Sequence, residues 1–256
     1  MIAAIRYTAV ALLAAALSPA GAQGFTPQAA LQRLFALEGN SPYAAPYAGT
    51  LNFSALKSKY ASPNGHGYRN ELKVTDRERL SLADTREHFA ARITATLPNV
   101  AKTIVAQYHV EGLDTILKVY VQDTADKQGL DGKSGNGVFD ILVRILGVDG
   151  KEATTALGTV RSGESFDLDI VLNAGETQVI ARTANSGTLK TPLTRIRPDT
   201  RKIYFKFGDY LQARDPVTGE HTSSPEKWDE YYRQNHIDSS HIRFSQTIFE
   251  RQGVQP

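Results

Sequence analysis

The 256-residue chain has no cysteine, one methionine and one tryptophan. Without cysteine there is no disulfide framework, no thiolate zinc site and no cysteine nucleophile. An excess of charge of one sign is also missing. The 29 basic residues stand against 27 acidic ones, a near balance that argues against nucleic acid as the main partner and leaves any acidic ligand to a local cluster of cations. Long apolar runs are lacking too, since the stretch from Tyr7 to Leu17 falls short of the about 20 residues that span a membrane. That stretch follows Met1 to Arg6 and precedes Pro19-Ala20-Gly21-Ala22, small residues of the kind a signal peptidase reads. Residues 1–22 are therefore expected to be a secretory signal cut after Ala22, and the mature protein is expected to be secreted or periplasmic.

What remains has the length of one all-β domain, since sandwiches commonly run to roughly 200 to 250 residues. Thr26-Pro27 reads as a helix start, and Leu31, Leu34 and Phe35 repeat at helical spacing up to Gly39, which predicts one short helix. Residues 40–63 read as an irregular connection with a short strand around Leu51 and Phe53. Residues 23–48 are thus set apart as a helix and connection, and residues 49–256 as the main domain. There the pattern is a succession of alternating segments: Tyr68 to Thr75, Phe89 to Leu97, Thr103 to Glu111, Thr115 to Gln122, Val138 to Leu146, Phe166 to Leu172, Thr177 to Thr183, Ile203 to Gln212 and His241 to Phe249. Many strands with few helices predict an all-β sandwich or jelly roll. The charged stretch 76–88 and the segment from Pro225 to Gln234 read as helical or irregular pieces packed on its surface.

Three of these segments carry unusual outward faces. The two-residue period puts Tyr204, Lys206, Tyr210 and Gln212 on one face and Ile203, Phe205, Phe207 and Leu211 on the other. The same parity groups Arg69, Glu71 and Lys73 against Tyr68, Leu72 and Val74, and Gln107, His109 and Glu111 against Ile104, Ala106, Tyr108 and Val110. If the three lie in one sheet, Arg69, Gln107, His109, Lys206 and Tyr210 project together from its surface. Two cations, an amide, an imidazole and a phenol make a site for a carboxylate whose neighbouring proton must move.

Arg69-Asn70-Glu71-Leu72, Gln107-Tyr108-His109 and Tyr204-Phe205-Lys206-Phe207-Gly208-Asp209-Tyr210-Leu211-Gln212 resemble, in order, the three signature blocks of polysaccharide lyase family 7, the alginate lyases. The closing Ile242-Arg243-Phe244 is similar to that family's last strand. The resemblance implies a β-jelly roll of two antiparallel sheets with a few short helices. Its concave sheet would hold an acidic polysaccharide and cleave it by endo β-elimination without a cofactor or metal. It further implies that Arg69 and Gln107, helped by Lys206, stabilise the charge that develops beside the uronate carboxylate. His109 would take the C5 proton, and Tyr210 would protonate the departing O4 and serve as base for mannuronate. Glu71 and Lys73 accompany Arg69, with Glu71 orienting it, and Tyr204 and Gln212 line subsites or support the sheet. Tyr108, Asn70 and Phe207 depart from the usual Ile or Val, Ser and Ala of the blocks. Tyr108 leaves the preference between mannuronate and guluronate open and keeps another polyuronate, such as a polyglucuronate, as an alternative.

A non-catalytic carbohydrate-binding jelly roll is a second alternative, because the fold alone does not fix function. Such a module has no need of His109 and Tyr210 together. The loop 123–136, with Asp123, Asp126 and Asp131, lacks the spacing of a calcium loop and reads as a hairpin connection. His236 and His241 lack the helical pattern of a zinc site. Trp228 and Tyr231 stand at helix spacing and read as an anchor onto the sandwich. A monomer is expected.

Overall fold

The computed structural model describes residues 27–40, 49–112 and 115–252. The signal stretch 1–22 and the helix-start residue Thr26 lie outside them. The strands are β1 (Phe35–Glu38), β2 (Leu51–Phe53), β3 (Arg69–Val74), β4 (Leu80–Ser81), β5 (Arg86–Thr96), β6 (Lys102–Val110), β7 (Thr115–Gln122), β8 (Val138–Leu146), β9 (Glu152–Arg161), β10 (Ser165–Asn173), β11 (Glu176–Thr183), β12 (Gly187–Lys190), β13 (Thr194–Arg195), β14 (Lys202–Leu211) and β15 (His241–Arg251). Among the described residues three short α-helices, α1 (Pro27–Leu34), α2 (Ala55–Ser58) and α3 (Pro225–Gln234), and one 3-10 turn at Asp76–Glu78 join them. No helix among the described residues is long and apolar enough to cross a membrane.

The strands form two antiparallel sheets, as a jelly roll requires. One runs β1-β3-β14-β6-β7-β8-β9 with β4 on the end of β14, and the other runs β12-β11-β10-β5-β15-β2 with β13 on β11. Between them lies an aromatic core. Phe35 and Phe207 meet edge to face at 5.5 Å, Phe53 and Phe244 at 5.5 Å, and Phe205 stacks on Phe249 at 5.7 Å. Each such ring, fully buried, contributes roughly 1.5–3 kcal/mol, so the pairing of these faces fixes which side of β14 looks outward. Trp228 and Tyr232 of α3 are buried, which makes that helix the anchor expected of it. The buried pair is Trp228 and Tyr232, with Tyr231 only half-buried beside them.

Two local departures matter for the site. Phe35 does not extend α1. The helix stops at Leu34 and the chain turns into β1, which pairs Phe35 with Val74 and Glu38 with Glu71. Residues 35–38 therefore form an edge strand of the sandwich. The second departure is in β6, where Ile104 pairs with Tyr120 and Ala106 with Val119, so that Val105 is an extra residue. A bulge of this kind shifts the parity of the strand. As a result Ile104 leaves the core face expected for it and joins Tyr120 and Tyr210 in a small apolar cluster on the outer side. On β14, Gly208 lies at φ +149°, and a Cβ there would come within 2.4 Å of the Asn70 carbonyl oxygen. Only glycine lets β3 and β14 approach so closely.

Candidate active site

The outer face of the first sheet is a cleft of about 600 Å³. Strand pairing brings its chemistry together: Lys206 stands opposite Lys73 on β3 and opposite Gln107 on β6, Tyr210 opposite Arg69, and Tyr204 opposite His109. Arg69, Gln107, His109, Tyr204, Lys206, Tyr210 and Gln212 all line the cavity, as the sequence predicts. Glu71 and Lys73 do not. Glu71 is wholly buried beneath the lining, where one oxygen accepts from Gln107 Nε2 at 2.6 Å and the other lies 3.4 Å from Arg69 Nη1. Its service is to Arg69 and Gln107, and it is out of reach of a ligand in the cleft. Lys73 sits beside the cavity, 3.4 Å from Glu38.

Glu38 is the functional residue that sequence reasoning misses. Carried by the edge strand β1, it pairs with Lys206 and with Lys73, and its Oε2 lies 3.6 Å from Arg69 Nη1. Burial raises its pKa, but Lys206, Arg69 and Lys73 outweigh that and hold the carboxyl below its ordinary value. Lys206 is pulled below its ordinary value by burial, with Arg69 adding to the effect and Glu71 and Glu38 opposing it. Arg69 faces the same penalty of burial, yet Glu71, Tyr210 and Glu38 more than offset it and push its pKa up. The guanidinium also lies on the Tyr210 ring, 3.8 Å from its centroid. It therefore remains a fixed positive charge beside the phenol.

Tyr210 accepts the His66 backbone N–H at 2.7 Å, which pins the phenol oxygen and leaves its hydrogen to be directed elsewhere. His109 stacks on Tyr204 with centroids 5.3 Å apart and planes 10° from parallel. Its Nε2 lies 2.9 Å from Gln107 Oε1, and its Nδ1 lies 3.2 Å from Thr115 Oγ1. Burial is the main cause that drives its pKa well below the ordinary histidine range, followed by Lys206, Arg69, Lys118 and Lys73. The imidazole is neutral at neutral pH, the form that can take a proton.

Beyond Tyr210 the cleft runs into a second cavity of about 370 Å³ through Lys102, Gln212, Arg214 and His221, which border both. Lys102 is brought down to about 8 by burial, with Arg144, Arg214 and Lys127 contributing. A cation-rich groove that passes a phenol, an imidazole and a buried Arg–Lys pair is built to hold an acidic chain. The sequence model of the family described as alginate lyase matches residues 23–247. The chain belongs to the alginate lyase family. Its fold agrees with the solved alginate lyase from Alteromonas sp. 272 at a TM-score of 0.76 and 33% identity, over 86% of this chain and 95% of that one. A structure described as a polysaccharide lyase of family 18, aly-SJ02, matches with the same score and identity over 86% and 96%. An exolytic family 7 alginate lyase from Zobellia galactanivorans, 12% identical, shares the fold at a TM-score of 0.58 over 87% and 89%. No curated protein sequence matches the chain. As a member of this family the protein is a polysaccharide lyase, a carbon–oxygen lyase that acts on alginate.

The block residues that depart from the usual pattern all turn inward. Tyr108 is fully buried between the sheets and donates to Glu87 of β5 at 2.8 Å, while Glu87 pairs with Arg251 of β15 at 2.6 Å. Its side chain cannot touch a sugar in the cleft. Asn70 donates to the Asn40 carbonyl at 3.1 Å, and Phe207 belongs to the aromatic core. In loop 123–136 Asp123 accepts the N–H groups of Gly135 and Gly137, both at 2.8 Å, Asp131 accepts that of Lys133 at 3.1 Å, and Asp126 lies 3.6 Å from Arg214.

Proposed function

We propose that this exported lyase cleaves alginate within the chain at the cluster formed by Arg69, Lys206, His109 and Tyr210. The observation that carries the proposal is their convergence on one cleft, with Arg69 and Lys206 beside both a neutral imidazole and a phenol. A uronate carboxylate held by Arg69 and Lys206 has its charge offset, which makes the C5 proton easier to remove. His109 takes that proton from guluronate. The electrons of the C5–H bond form the C4=C5 double bond, the C4–O4 bond breaks, and the Tyr210 hydroxyl gives its proton to the departing O4. For mannuronate, where proton and leaving group lie on the same side, Tyr210 serves both steps. Solvent then restores His109 and Tyr210. The continuation of the cleft past Tyr210 supports internal cleavage, because a bound chain can extend on both sides of the scissile bond.

The test is the rise in ultraviolet absorbance from unsaturated ends on separate polymannuronate, polyguluronate and polyglucuronate, with viscosity followed in parallel. Viscosity should fall well before absorbance plateaus on an alginate block. A rise on polyglucuronate alone would keep the chemistry and change the substrate. Viscosity that follows absorbance in proportion would overturn internal cleavage. Tyr210→Phe should lose about a hundredfold or more in kcat, within the range of acid–base contributions. Full activity in that variant would overturn the mechanism.

A further inference from the structure

The hydrogen bonds beneath the cleft form a directed chain that ends on the proposed base. Glu71 Oε1 lies 2.6 Å from Gln107 Nε2, and Gln107 Oε1 lies 2.9 Å from His109 Nε2. Both Glu71 and Gln107 are buried, at 0% and 1% exposure, with Gln107 at the border of the cleft. Burial raises the Glu71 pKa while Lys206 and Arg69 oppose it; in its ionised form the carboxylate only accepts hydrogen bonds, and a carboxamide has one accepting and one donating end. Glu71 therefore holds the Gln107 amide with its NH₂ toward β3, which leaves the carbonyl oxygen facing His109. That oxygen can only accept, so His109 Nε2 must carry the hydrogen. A neutral imidazole has one N–H, and the lone pair falls on Nδ1.

We propose that Glu71 is a positioning residue that sets the tautomer of His109 through Gln107, and that Nδ1 is the nitrogen that receives the substrate's C5 proton. This rests on the lyase reading above for the destination of the proton, but the tautomer itself is a property of the free protein. Thr115 fits the role at the other end. Its hydroxyl, 3.2 Å from Nδ1, donates to the lone pair in the free protein, turns away when the substrate's C5–H takes that lone pair, and can afterwards accept from Nδ1–H. Stacking on Tyr204 fixes the plane of the ring. The chain also explains a buried acid so close to a site for acidic sugars. An apolar residue at position 71 would leave the amide free to turn and offer its NH₂ to Nε2, which would place the hydrogen on Nδ1 and abolish the base.

The experiment uses the full protein labelled with ¹⁵N-histidine, without substrate, at neutral pH. Long-range proton–nitrogen correlation spectra report which ring nitrogen carries hydrogen, and the spectrum of His109→Asn identifies the signals of His109 among the six histidines. The parent should show the Nε2–H form. Glu71→Gln, whose amide can present either end to Gln107, should show the Nδ1–H form or a mixture. It should lose about tenfold or more in kcat on alginate with KM changed less than threefold, as loss of a positioned base implies. Thr115→Val should keep the Nε2–H form. An Nδ1–H form in the parent overturns the proposal without any variant. A retained Nε2–H form in folded Glu71→Gln overturns it as well and returns Glu71 to a role through Arg69 alone. Absence of turnover in the parent would sink the lyase reading and leave the tautomer result standing.

Discussion

His88 and His109 lie on opposite sheets of the same sandwich, and their surroundings differ in sign. His88, on the outer face of the second sheet, stands 2.9 Å from Asp169 and 3.3 Å from Glu250. Hydrogen bonding to Asp169 leads the effects that raise its pKa. His109, in the cleft of the first sheet, is half-buried beside Lys206, Arg69, Lys118 and Lys73, and its pKa falls. One imidazole is biased toward its charged form by carboxylates in a surface cross-strand cluster. The other is held neutral by burial and by the cations around it. The comparison teaches that the residue type carries little functional information without the sign of its neighbours.

The largest effect should come from breaking the cleft side of this comparison. His109→Ala should lower kcat on polyguluronate by about a hundredfold or more, while the variant still binds the polymer on an alginate column. The parent's pH profile sharpens the point. A base with a lowered pKa is in its neutral, working form at all pH values above that pKa. Activity on polyguluronate should therefore persist as pH falls below the ordinary histidine value of about 6.5 and fail only further down. An acid limb at or above pH 6.5 would show that the controlling group is not His109 as the structure surrounds it.

A smaller effect is expected at Glu38, the carboxylate that pairs with Lys206, Lys73 and Arg69. Glu38→Gln keeps the shape but removes the charge that opposes burial of Lys206. Lys206 should then lose its proton at lower pH, and the alkaline limb of kcat/KM should move down. At pH 8 the variant should be about tenfold less active, or about 1.4 kcal/mol. An unmoved alkaline limb with unchanged activity would show that Lys206 does not depend on Glu38.

Glu38 also marks where the sequence stops being readable. Leu31, Leu34 and Phe35 stand at helical spacing, and nothing local says that the period changes at Phe35. What ends the helix is pairing of β1 with β3, across more than thirty residues of chain. Parity alone was enough for β3 and β14, whose faces are regular with each other, and the bounds of β7 and β8 coincide with the alternating segments Thr115 to Gln122 and Val138 to Leu146. Parity failed at Ile104, because the bulge at Val105 shifts it. It also gave no warning of β9, whose first three residues are exposed and whose alternation is weak. Asp209 shows the same limit from the inside. It points to the core as alternation requires, but its partners, the Ala55 N–H and the Thr103 hydroxyl, both at 2.7 Å, come from far along the chain. Local period records which face a side chain takes, and only the assembled sheets supply what satisfies it there.

The smallest effect belongs to His88, and it tests the other half of the comparison. Because its folded pKa is raised, its contribution to stability is fully present below the unfolded value of about 6.5 and is lost as pH rises through the folded value. His88→Asn should therefore lower Tm slightly at pH 6, and the gap between variant and parent should close by pH 9. Lyase activity should be unchanged throughout, since the residue lies on the sheet that faces away from the cleft. A Tm gap that does not vary with pH would mean that His88 acts by packing rather than by charge. The carboxylates beside His88 would then carry no part of the contrast, which would rest on the surroundings of His109 alone.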